Sequence, residues 1–505
     1  MSGAELPKSV TGSQSDAEPP QIHALPEGDE PPSGPLQRAA ARFTAWAEKW
    51  IPDAFIFALG ATFLVAGAAA VSLGKKHGAV SGVIQVAEIW GGGFWELLPF
   101  TLQMCLVIIT GYVAATTRPV YRLIAALASI PRSPRAAIAW VALFAMLSSW
   151  LNWGFSLIFS AMLAKETARR VEGVDYRCVA ASSFLGLGSI WGQGLSGSAA
   201  LQMATPSAIQ PATRAIVEAG DKVPGGVIPL TSTIFLWQSL ISVVIEITVV
   251  TLLVYLYAPS ASRARTASAM GISLGRSPLE TEEPLQSSTP GDWLEHSPIL
   301  NVLFVLLAGG YLVRYFTSSG QGLNALNLNT VNLLFLTAGV ALHGTPARLM
   351  RAVREATPGV WGVILQFPFY AGIAALIVKA HLNEAIASWF VGISTKTTYP
   401  AVVAIYSAIL NTFVPSGGAK WVIEAPYVMQ AAHDLKVHLG WMVAVYDLGE
   451  AVANLVQPFW MLPILGLLGL RARDVMGYTF MVFLVLFPLV LILVTVLGAT
   501  LPYPL

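Results

Sequence analysis

Long apolar segments alternate with short polar segments along most of this chain. Two runs, 177–205 and 441–468, are interrupted by glycines or polar residues and are predicted to be broken spans. Seven unbroken runs are each about as long as the 20 residues that a helix needs to cross a hydrocarbon core: 54–73, 98–116, 229–257, 299–317, 327–343, 360–378 and 476–498. We therefore predict an all-α polytopic membrane protein with about nine transmembrane helices.

Composition supports this prediction. Of the 505 residues, 55% are hydrophobic and 11% are charged, whereas a soluble domain carries roughly 25% charged residues. The formal net charge of +1 gives no indication of a nucleic-acid partner. Cys105 and Cys178 stand far apart in or beside apolar runs, so we interpret them as packing residues. No Walker motif, redox cysteine pair or histidine cluster is present, so the sequence predicts neither an enzyme nor a primary pump.

Two other apolar runs break in the middle at similar sequences. Ser148–Gly154 interrupts the run 136–165, and Ser407–Gly418 interrupts the run 400–425. Backbone groups at membrane depth must be paired, so a Gly/Pro/Asn break there normally lines a cavity inside the protein. We predict two re-entrant hairpins, with Asn152 and Asn411 at or near their tips.

The basic residues predict the orientation. When both hairpins are counted as entering and leaving on one side, most cations between spans fall on one face, including Arg118, Arg122, Arg348 and Arg351. The positive-inside rule places that face, and the N-terminus, in the cytoplasm. Residues 1–45 are rich in Pro, Ser, Gly and Glu and are predicted to be a disordered cytoplasmic tail. We expect the first span to be an uncleaved anchor in the inner membrane.

The same count predicts an inverted repeat. Residues 46–257 form a first half and residues 327–500 a second half, each with one hairpin. A cytoplasmic linker loop, 258–298, and a single parity-switching helix, 299–317, join the halves, so the second half runs inverted relative to the first. This is the plan of secondary carriers that work by alternating access.

Several uncommon strings in this order carry a family resemblance: Asn152-Trp153-Gly154-Phe155, Asn329-Thr330-Val331-Asn332-Leu333, Val414-Pro415-Ser416-Gly417-Gly418 and Gln457-Pro458-Phe459-Trp460. At these strings the chain resembles the short-chain fatty acid transporter family, a branch of the ion transporter superfamily. The resemblance runs from about Trp46 to about Tyr478. It implies two hairpins meeting near the membrane midplane, a scaffold with a moving transport domain, a short-chain carboxylate substrate and a homodimer.

The hairpin tips supply candidate substrate ligands. Amide groups of Asn152 and Asn411 could donate to a carboxylate, although both residues could equally make the tight reversal of the chain. Lys420 could bind the carboxylate, or it could pair with Glu424 four residues along one helix. The further candidates are backbone or hydroxyl donors from the second hairpin and from the first broken span: Ser416, Gly417, Gly418, Ser196 and Ser198.

The broken spans supply candidate groups for a coupling ion. An acid inside an apolar run is costly and indicates function, and the run 441–468 holds two acids within a few residues of an amide. In the run 177–205, five glycines within 13 residues either permit unwinding or serve close helix packing. The candidates are Glu450, Asp447, Asn454, Gly192 and Gly194. The predicted ion is H⁺ or Na⁺, and no other cofactor is expected.

These observations favour a cation-coupled secondary carrier of short-chain monocarboxylates with an elevator-like cycle. A carrier of the same fold for a dicarboxylate or conjugated anion is the first alternative. Two carboxylates would demand more fixed cations than Lys420 alone. A channel is a second alternative, but a channel needs no inverted pair of dead-end hairpins. An intramembrane enzyme is the least favoured.

Overall fold

The computed structural model describes residues 54–219, 223–274, 289–318, 322–411, 414–457 and 459–505. These residues form helices joined by turns, without strands in the described ranges. Seven of the described helices are long and apolar enough to cross a membrane. The protein is therefore an all-α polytopic membrane protein, as predicted. The tail 1–45 and part of the linker 258–298 lie outside the described residues.

The first helices form a hairpin that the sequence did not predict. Helix α1 (Ala54–His77) and helix α2 (Ala79–Gly93) are joined by Gly78 alone, which has a φ of +86° that favours glycine. The two helices pack so closely that a Cβ on Gly82 would lie 2.8 Å from the backbone nitrogen of Gly74. Both helices pack against a helix of the second half, α15 (Trp361–Lys379).

The rest of the first half follows the predicted order. A break at Asn152 separates two of its helices, and π and 3-10 turns over 186–193 interrupt the next. The predicted span 229–257 begins as a helix only at Trp237, because Pro229 and a 3-10 turn precede it. The helices are α3 (Leu98–Ala115), α4 (Arg118–Ala128), α5 (Pro134–Leu151), α6 (Trp153–Arg170), α7 (Tyr176–Phe184), α8 (Ser198–Ala204), α9 (Pro211–Glu218) and α10 (Trp237–Tyr257).

The second half begins after the linker. Its helix–break–helix pair extends past the predicted end at residue 425, because the helix continues through Pro426 while packing on its neighbours. The helices are α11 (Pro290–His296), α12 (Ile299–Ser318), α13 (Leu328–His343), α14 (Pro346–Ala356), α15, α16 (Leu382–Ile393), α17 (Tyr399–Asn411), α18 (Gly417–Asp434), α19 (Leu439–Ala453), α20 (Leu462–Leu468) and α21 (Ala472–Gly498).

One order of elements occurs twice. A long helix, a short helix, a helix–break–helix pair, a broken helix and a long helix follow one another in α3–α10, with the additional short helix α9 before the last, and again in α15–α21. The broken helices meet in the core, where α19 packs against α8 and against the unwound turns that follow α7. The inversion of one half relative to the other, and the re-entrant nature of the hairpins, remain predictions.

Candidate functional site

A cavity lies where the helix breaks and the broken helices meet. It encloses about 410 Å³, including its mouth. Its polar end is formed by Ser198, Ser416, Gly417, Gly418, Glu450 and Asn454. The other walls are apolar and come from three tryptophans together with Met104, Ile108, Leu187, Val363 and Phe367. A cavity with one polar end and apolar walls suits a small amphiphilic ligand.

At the second break, a helix N-terminus faces the polar end of the cavity, with the Gly417 N–H directed at the carboxylate of Glu450. Helix α18 begins at Gly417, and the side chain of its N-cap residue, Ser416, makes no capping hydrogen bond. The break is held from one side by Trp460, whose Nε1–H donates to the Pro415 carbonyl oxygen at 2.7 Å. The first N–H groups of a helix lack intrahelical partners and, with the helix dipole, favour an anion. The start of α18 is therefore suited to hold a carboxylate in the cavity.

A buried ion pair lies beside this N-terminus. The Nζ of Lys420 is 3.3 Å from Oε2 of Glu450, and both side chains are 1% exposed. The same ammonium donates to the carbonyl oxygen of Ser407 at 3.1 Å. Of the two alternatives for Lys420, pairing with Glu424 is not what the described residues show: the ammonium pairs with Glu450, and Glu424 accepts a hydrogen bond from the Tyr446 hydroxyl at 2.8 Å. The charge of Lys420 is therefore neutralised by Glu450, a residue that lines the cavity.

The first break is closed by its own side chains. Asn152 is the N-cap of α6, and its Oδ1 accepts from the N–H of Phe155 at 2.8 Å. The Oγ of Ser196 accepts from the N–H of Trp153 at 2.9 Å. Gly111 allows this close packing, since a Cβ there would lie 2.5 Å from the Asn152 Oδ1. Asn152 and Ser196 are buried and do not line the cavity.

Asn411, at the end of α17, is hydrogen-bonded to the second broken helix and, like Asn152, does not line the cavity. Its Nδ2 donates to the backbone oxygen of Glu450 at 3.1 Å and to Oδ1 of Asn454 at 2.9 Å. Asn454 in turn donates to the Leu187 carbonyl oxygen at 3.3 Å and accepts from Gln457 at 2.6 Å. This chain of amides connects α17 to both broken helices, and of the two asparagines only Asn454 reaches the cavity wall.

Asp447 is a fully buried carboxylate next to the unwound glycines. Its Oδ2 accepts from the N–H of Ala199 at 2.8 Å, whereas its Oδ1 has no hydrogen-bond partner among the described residues. A Cβ on Gly197 would lie 3.4 Å from Oδ2 of Asp447 and 2.8 and 3.2 Å from the carbonyl oxygens of Gly192 and Gly194. Carboxylate and carbonyl oxygens are ligands of hard cations. The described ranges hold no group of three His, Cys, Asp or Glu residues that could bind a metal.

Comparison with known proteins places this chain in a family. A family model described as short chain fatty acid transporter matches residues 35–497. The chain belongs to the short-chain fatty acid transporter family. It is 35% identical over 450 residues to a protein of Escherichia coli, covering 88% of this chain and 96% of that protein. It is 33% identical over 444 residues to a protein of Haemophilus influenzae, with the same coverage. Both relatives are named "Putative short-chain fatty acid transporter".

A solved structure shares the fold. The YdaH transporter of Alcanivorax borkumensis matches this family member with a TM-score of 0.54 and 16% sequence identity. The match covers 89% of this chain and 98% of that one. At this identity the likeness shows the fold alone.

Three tryptophans in the cavity of this family member were not among the predicted site residues. Trp153, Trp191 and Trp460 all line it, and the rings of Trp153 and Trp460 meet edge to face at 5.3 Å. Each lies at a break or within an unwound segment. Their closeness to the predicted breaks was the sequence signal that could have identified them. A tryptophan buries a large apolar area, and together the three form much of the apolar wall of the cavity.

Glu246 is an acid inside the apolar run 229–257 that the sequence leaves open as a functional or a packed residue, and it is fully buried. Its Oε1 accepts hydrogen bonds from the Gln193 side chain at 2.8 Å and from Ser242 at 2.6 Å. Because Gln193 lies in the 3-10 turn of the first broken helix, Glu246 fixes the unwound segment to α10. An acid within the apolar run 229–257 was the available signal, but the sequence could not show its partner.

Proposed function

We propose that the protein is a secondary active carrier that moves short-chain fatty acids, as monocarboxylate anions, across the inner membrane. Family membership and the names of the relatives support this class of substrate. The observation that carries the proposal is the cavity with a helix N-terminus, not capped by the Ser416 side chain, at its polar end and apolar walls elsewhere. The carboxylate would lie at the start of α18, with the acyl chain against Phe367 and the tryptophans.

Neutral donors hold the carboxylate in this proposal. The hydroxyl groups of Ser416 and Ser198 line the polar end, and Gly417 and Gly418 contribute the first N–H groups of α18. A hydrogen bond to a charged group contributes about 1.5–3 kcal/mol, so a few such donors suffice for a monoanion. Lys420 would have to leave Glu450 before it could pair with the substrate.

The charges at the polar end of the cavity are the reason to propose coupling to a cation. Glu450 lines the end of the cavity where the substrate carboxylate would bind. Lys420 and Glu450 neutralise each other, so a bound substrate carboxylate adds one net negative charge to a site of low dielectric constant. A proton on Glu450 would cancel that charge, and so would a Na⁺ ion held by Asp447 and the carbonyl oxygens of Gly192 and Gly194. In either case substrate binding would depend on the coupling ion.

The transport cycle is proposed to be elevator-like, with alternating access. Both helix–break–helix pairs would be re-entrant hairpins of an inverted repeat, and they would move together against a scaffold. The repeated order of elements supports this arrangement. A homodimer and a cytoplasmic N-terminus complete the proposal.

Uptake of labelled butyrate into proteoliposomes tests the proposal. With Na⁺ and H⁺ gradients imposed separately, one gradient should drive accumulation above equilibrium, unlabelled propionate should compete, and succinate should not. The double variant Lys420→Gln/Glu450→Gln should retain exchange of butyrate but lose uphill accumulation if Glu450 carries the proton. Uphill accumulation with an unchanged pH dependence would exclude Glu450 and favour the Asp447 site. A folded protein that moves no butyrate under either gradient would contradict the proposal.

A further inference from the structure

Four apolar residues of the cavity come from helices that do not form its polar end. Met104 and Ile108 lie four residues apart on α3, and Val363 and Phe367 lie four residues apart on α15. A spacing of four places both members of a pair on one face of their helix, about one turn apart. Because α3 and α15 also pack on each other, the two pairs form one apolar strip. We call these four residues the acyl strip.

One end of the acyl strip lies beside the start of α18. A Cβ on Gly418 would lie 3.2 Å from Cζ of Phe100, which precedes Met104 by one turn of α3. The ring of Phe100 stacks on that of Phe367 with 5.7 Å between the centroids. Both phenylalanines and Met104 are buried. A carboxylate at the start of α18 would therefore place its first carbons at the sealed end of the strip.

The other end of the strip lies farther along α3. Ile108 comes two turns after Phe100, about 12 Å along the helix axis. A Cβ on Gly359, in the turn before α15, would lie 3.7 Å from Cγ2 of Ile108. The two helices thus run in opposite directions along the strip, which places Val363 at about the level of Met104, between the two ends. Ile108 and Val363 are half-buried.

Two of the cavity tryptophans lie near the polar end. A Cβ on Gly417 would lie 2.7 Å from the ring of Trp191. Trp460 donates to the carbonyl oxygen of Pro415, just before α18. These rings therefore surround the carboxylate and the first carbons of a ligand, and the later carbons would contact the residues of α3 and α15.

The length of the strip can be compared with the length of the ligand. An extended chain advances roughly 3.5 Å for every three bonds, whereas one helical turn advances about 5.4 Å. With its carboxylate at Gly418, butyrate would end close to the level of Met104 and Val363. The two additional carbons of hexanoate would bring its terminal methyl group toward Ile108.

We propose that the acyl strip selects substrates by chain length, with Val363 contacting the end of butyrate and Ile108 the end of hexanoate. This selection rests on the function proposed above, because it requires a carboxylate at the start of α18. The carboxylate and the chain are then recognised by different helices. Helix α18 holds every acid of the series alike, and α3 and α15 distinguish the acids from one another.

Titration calorimetry of the purified full-length protein tests this proposal. Acetate, propionate, butyrate and hexanoate are titrated at low pH with Na⁺ present, so that either candidate coupling ion is available. In the wild type, affinity should rise about fourfold for each methylene group buried on the strip. Val363→Phe should weaken butyrate and hexanoate about 10- to 100-fold and leave acetate nearly unchanged. Ile108→Phe should weaken hexanoate alone by a similar factor.

Matched controls place the same ring outside the cavity. Leu365→Phe on α15 and Leu102→Phe on α3 alter exposed positions and should leave all four affinities unchanged. Size-exclusion chromatography verifies that each variant is folded. If Val363→Phe does not fold, Val363→Ala decides, because loss of the contact should reduce the advantage of butyrate over propionate from about fourfold to almost none.

The pattern across the acids, rather than any single loss, decides the outcome. Equal weakening of all four acids by Val363→Phe would overturn the proposal, and so would an unchanged butyrate advantage in Val363→Ala. A loss of butyrate in Ile108→Phe as large as in Val363→Phe would overturn the order of residues along the strip. Equal affinity of the wild type for all four acids would overturn the strip but leave the carboxylate site intact. A folded wild type that binds none of the acids would overturn the proposed function together with the strip.

Discussion

The two helix breaks have similar sequences but present different chemistry to the cavity. At the first break, Asn152 and Ser196 accept hydrogen bonds from the N–H groups of Phe155 and Trp153, at the start of α6. At the second, Ser416 leaves the start of α18 uncapped. Helices α5 and α6 also pack closely on each other, whereas α17 packs mainly on α19, and α18 on α15 and α16. The first break is closed by side-chain caps, whereas the second presents the start of α18 to the cavity and to Glu450, where we propose that the substrate binds.

The difference follows from where each asparagine stands relative to the next helix. Asn152 immediately precedes α6, so its side chain reaches the N–H of the third helical residue and caps the helix. Asn411 ends α17 and is five residues before the N-cap of α18. From there its amide reaches Glu450 and Asn454 instead. The same residue type therefore closes one break and braces the other.

The largest expected effect comes from the ion pair beside the open break. Lys420→Gln leaves the carboxylate of Glu450 buried without its cation, which should cost about 3–5 kcal/mol of stability. The double variant Lys420→Gln/Glu450→Gln should recover most of that loss, because no charge is left unpaired. Thermal unfolding of the purified variants measures the loss of stability and its recovery. A double variant as unstable as Lys420→Gln would show that the pair is not the cause.

Closing the space at the open break is the second test. A Cβ on Gly417 would lie 2.7 Å from the Trp191 ring and 2.8 Å from Oε2 of Glu450. Gly417→Ala should therefore shift the start of α18 and reduce butyrate uptake by about 100-fold, as displacements near 1 Å can do. In the closed break, a Cβ on Gly154 would have its nearest contact at 3.3 Å, with Asn152 Oδ1. Gly154→Ala should reduce uptake far less, and equal losses would contradict the contrast.

Local signals in the sequence predicted the breaks and the interrupted helices. The segment 186–197 leaves the α-helical conformation, and its glycines also serve close packing, the other alternative, since a Cβ on Gly194 would lie 2.5 Å from the Trp150 carbonyl oxygen. The break before α18 carries Pro415 and two glycines. These signals act within a few residues, so no tertiary information is needed. The hairpin α1–α2 was not predicted, because α2 is only 15 residues long and ends in three glycines that indicate a loop.

Partners across helices could not be predicted in the same way. The spacing of four residues favoured Glu424 as the ion-pair partner of Lys420, since both side chains then lie on one face of α18. Lys420 instead pairs with Glu450, and this ion pair depends on how α19 packs against α18. The hydroxyl of Tyr446, also on α19, donates a hydrogen bond to Glu424. Likewise, Ser196 was a candidate substrate ligand, but its position after an unwound turn brings it to the backbone of Trp153.

A pair of serines gives the third test of the contrast. Ser416→Ala should weaken butyrate affinity about 10-fold, because it removes one hydrogen bond to the carboxylate, and it should leave stability nearly unchanged. Ser196→Ala should leave butyrate affinity nearly unchanged but lower stability by about 1–3 kcal/mol, because it leaves the N–H of Trp153 buried without its acceptor. Substrate titration and thermal unfolding of both variants separate these outcomes. Intact affinity in Ser416→Ala would argue that Lys420, rather than the neutral donors, binds the carboxylate.

The smallest effect is expected at the cap of the closed break. Asn152→Ala removes the acceptor for the N–H of Phe155 and should lower the stability by about 1 kcal/mol. Asn152→Ser keeps a capping oxygen without burying a charge and should preserve most of the stability. Butyrate affinity should change little in either variant, because Asn152 is 1% exposed and does not line the cavity. If Asn152→Ala weakened affinity tenfold without loss of stability, Asn152 would be a substrate ligand, and the first break would open during transport.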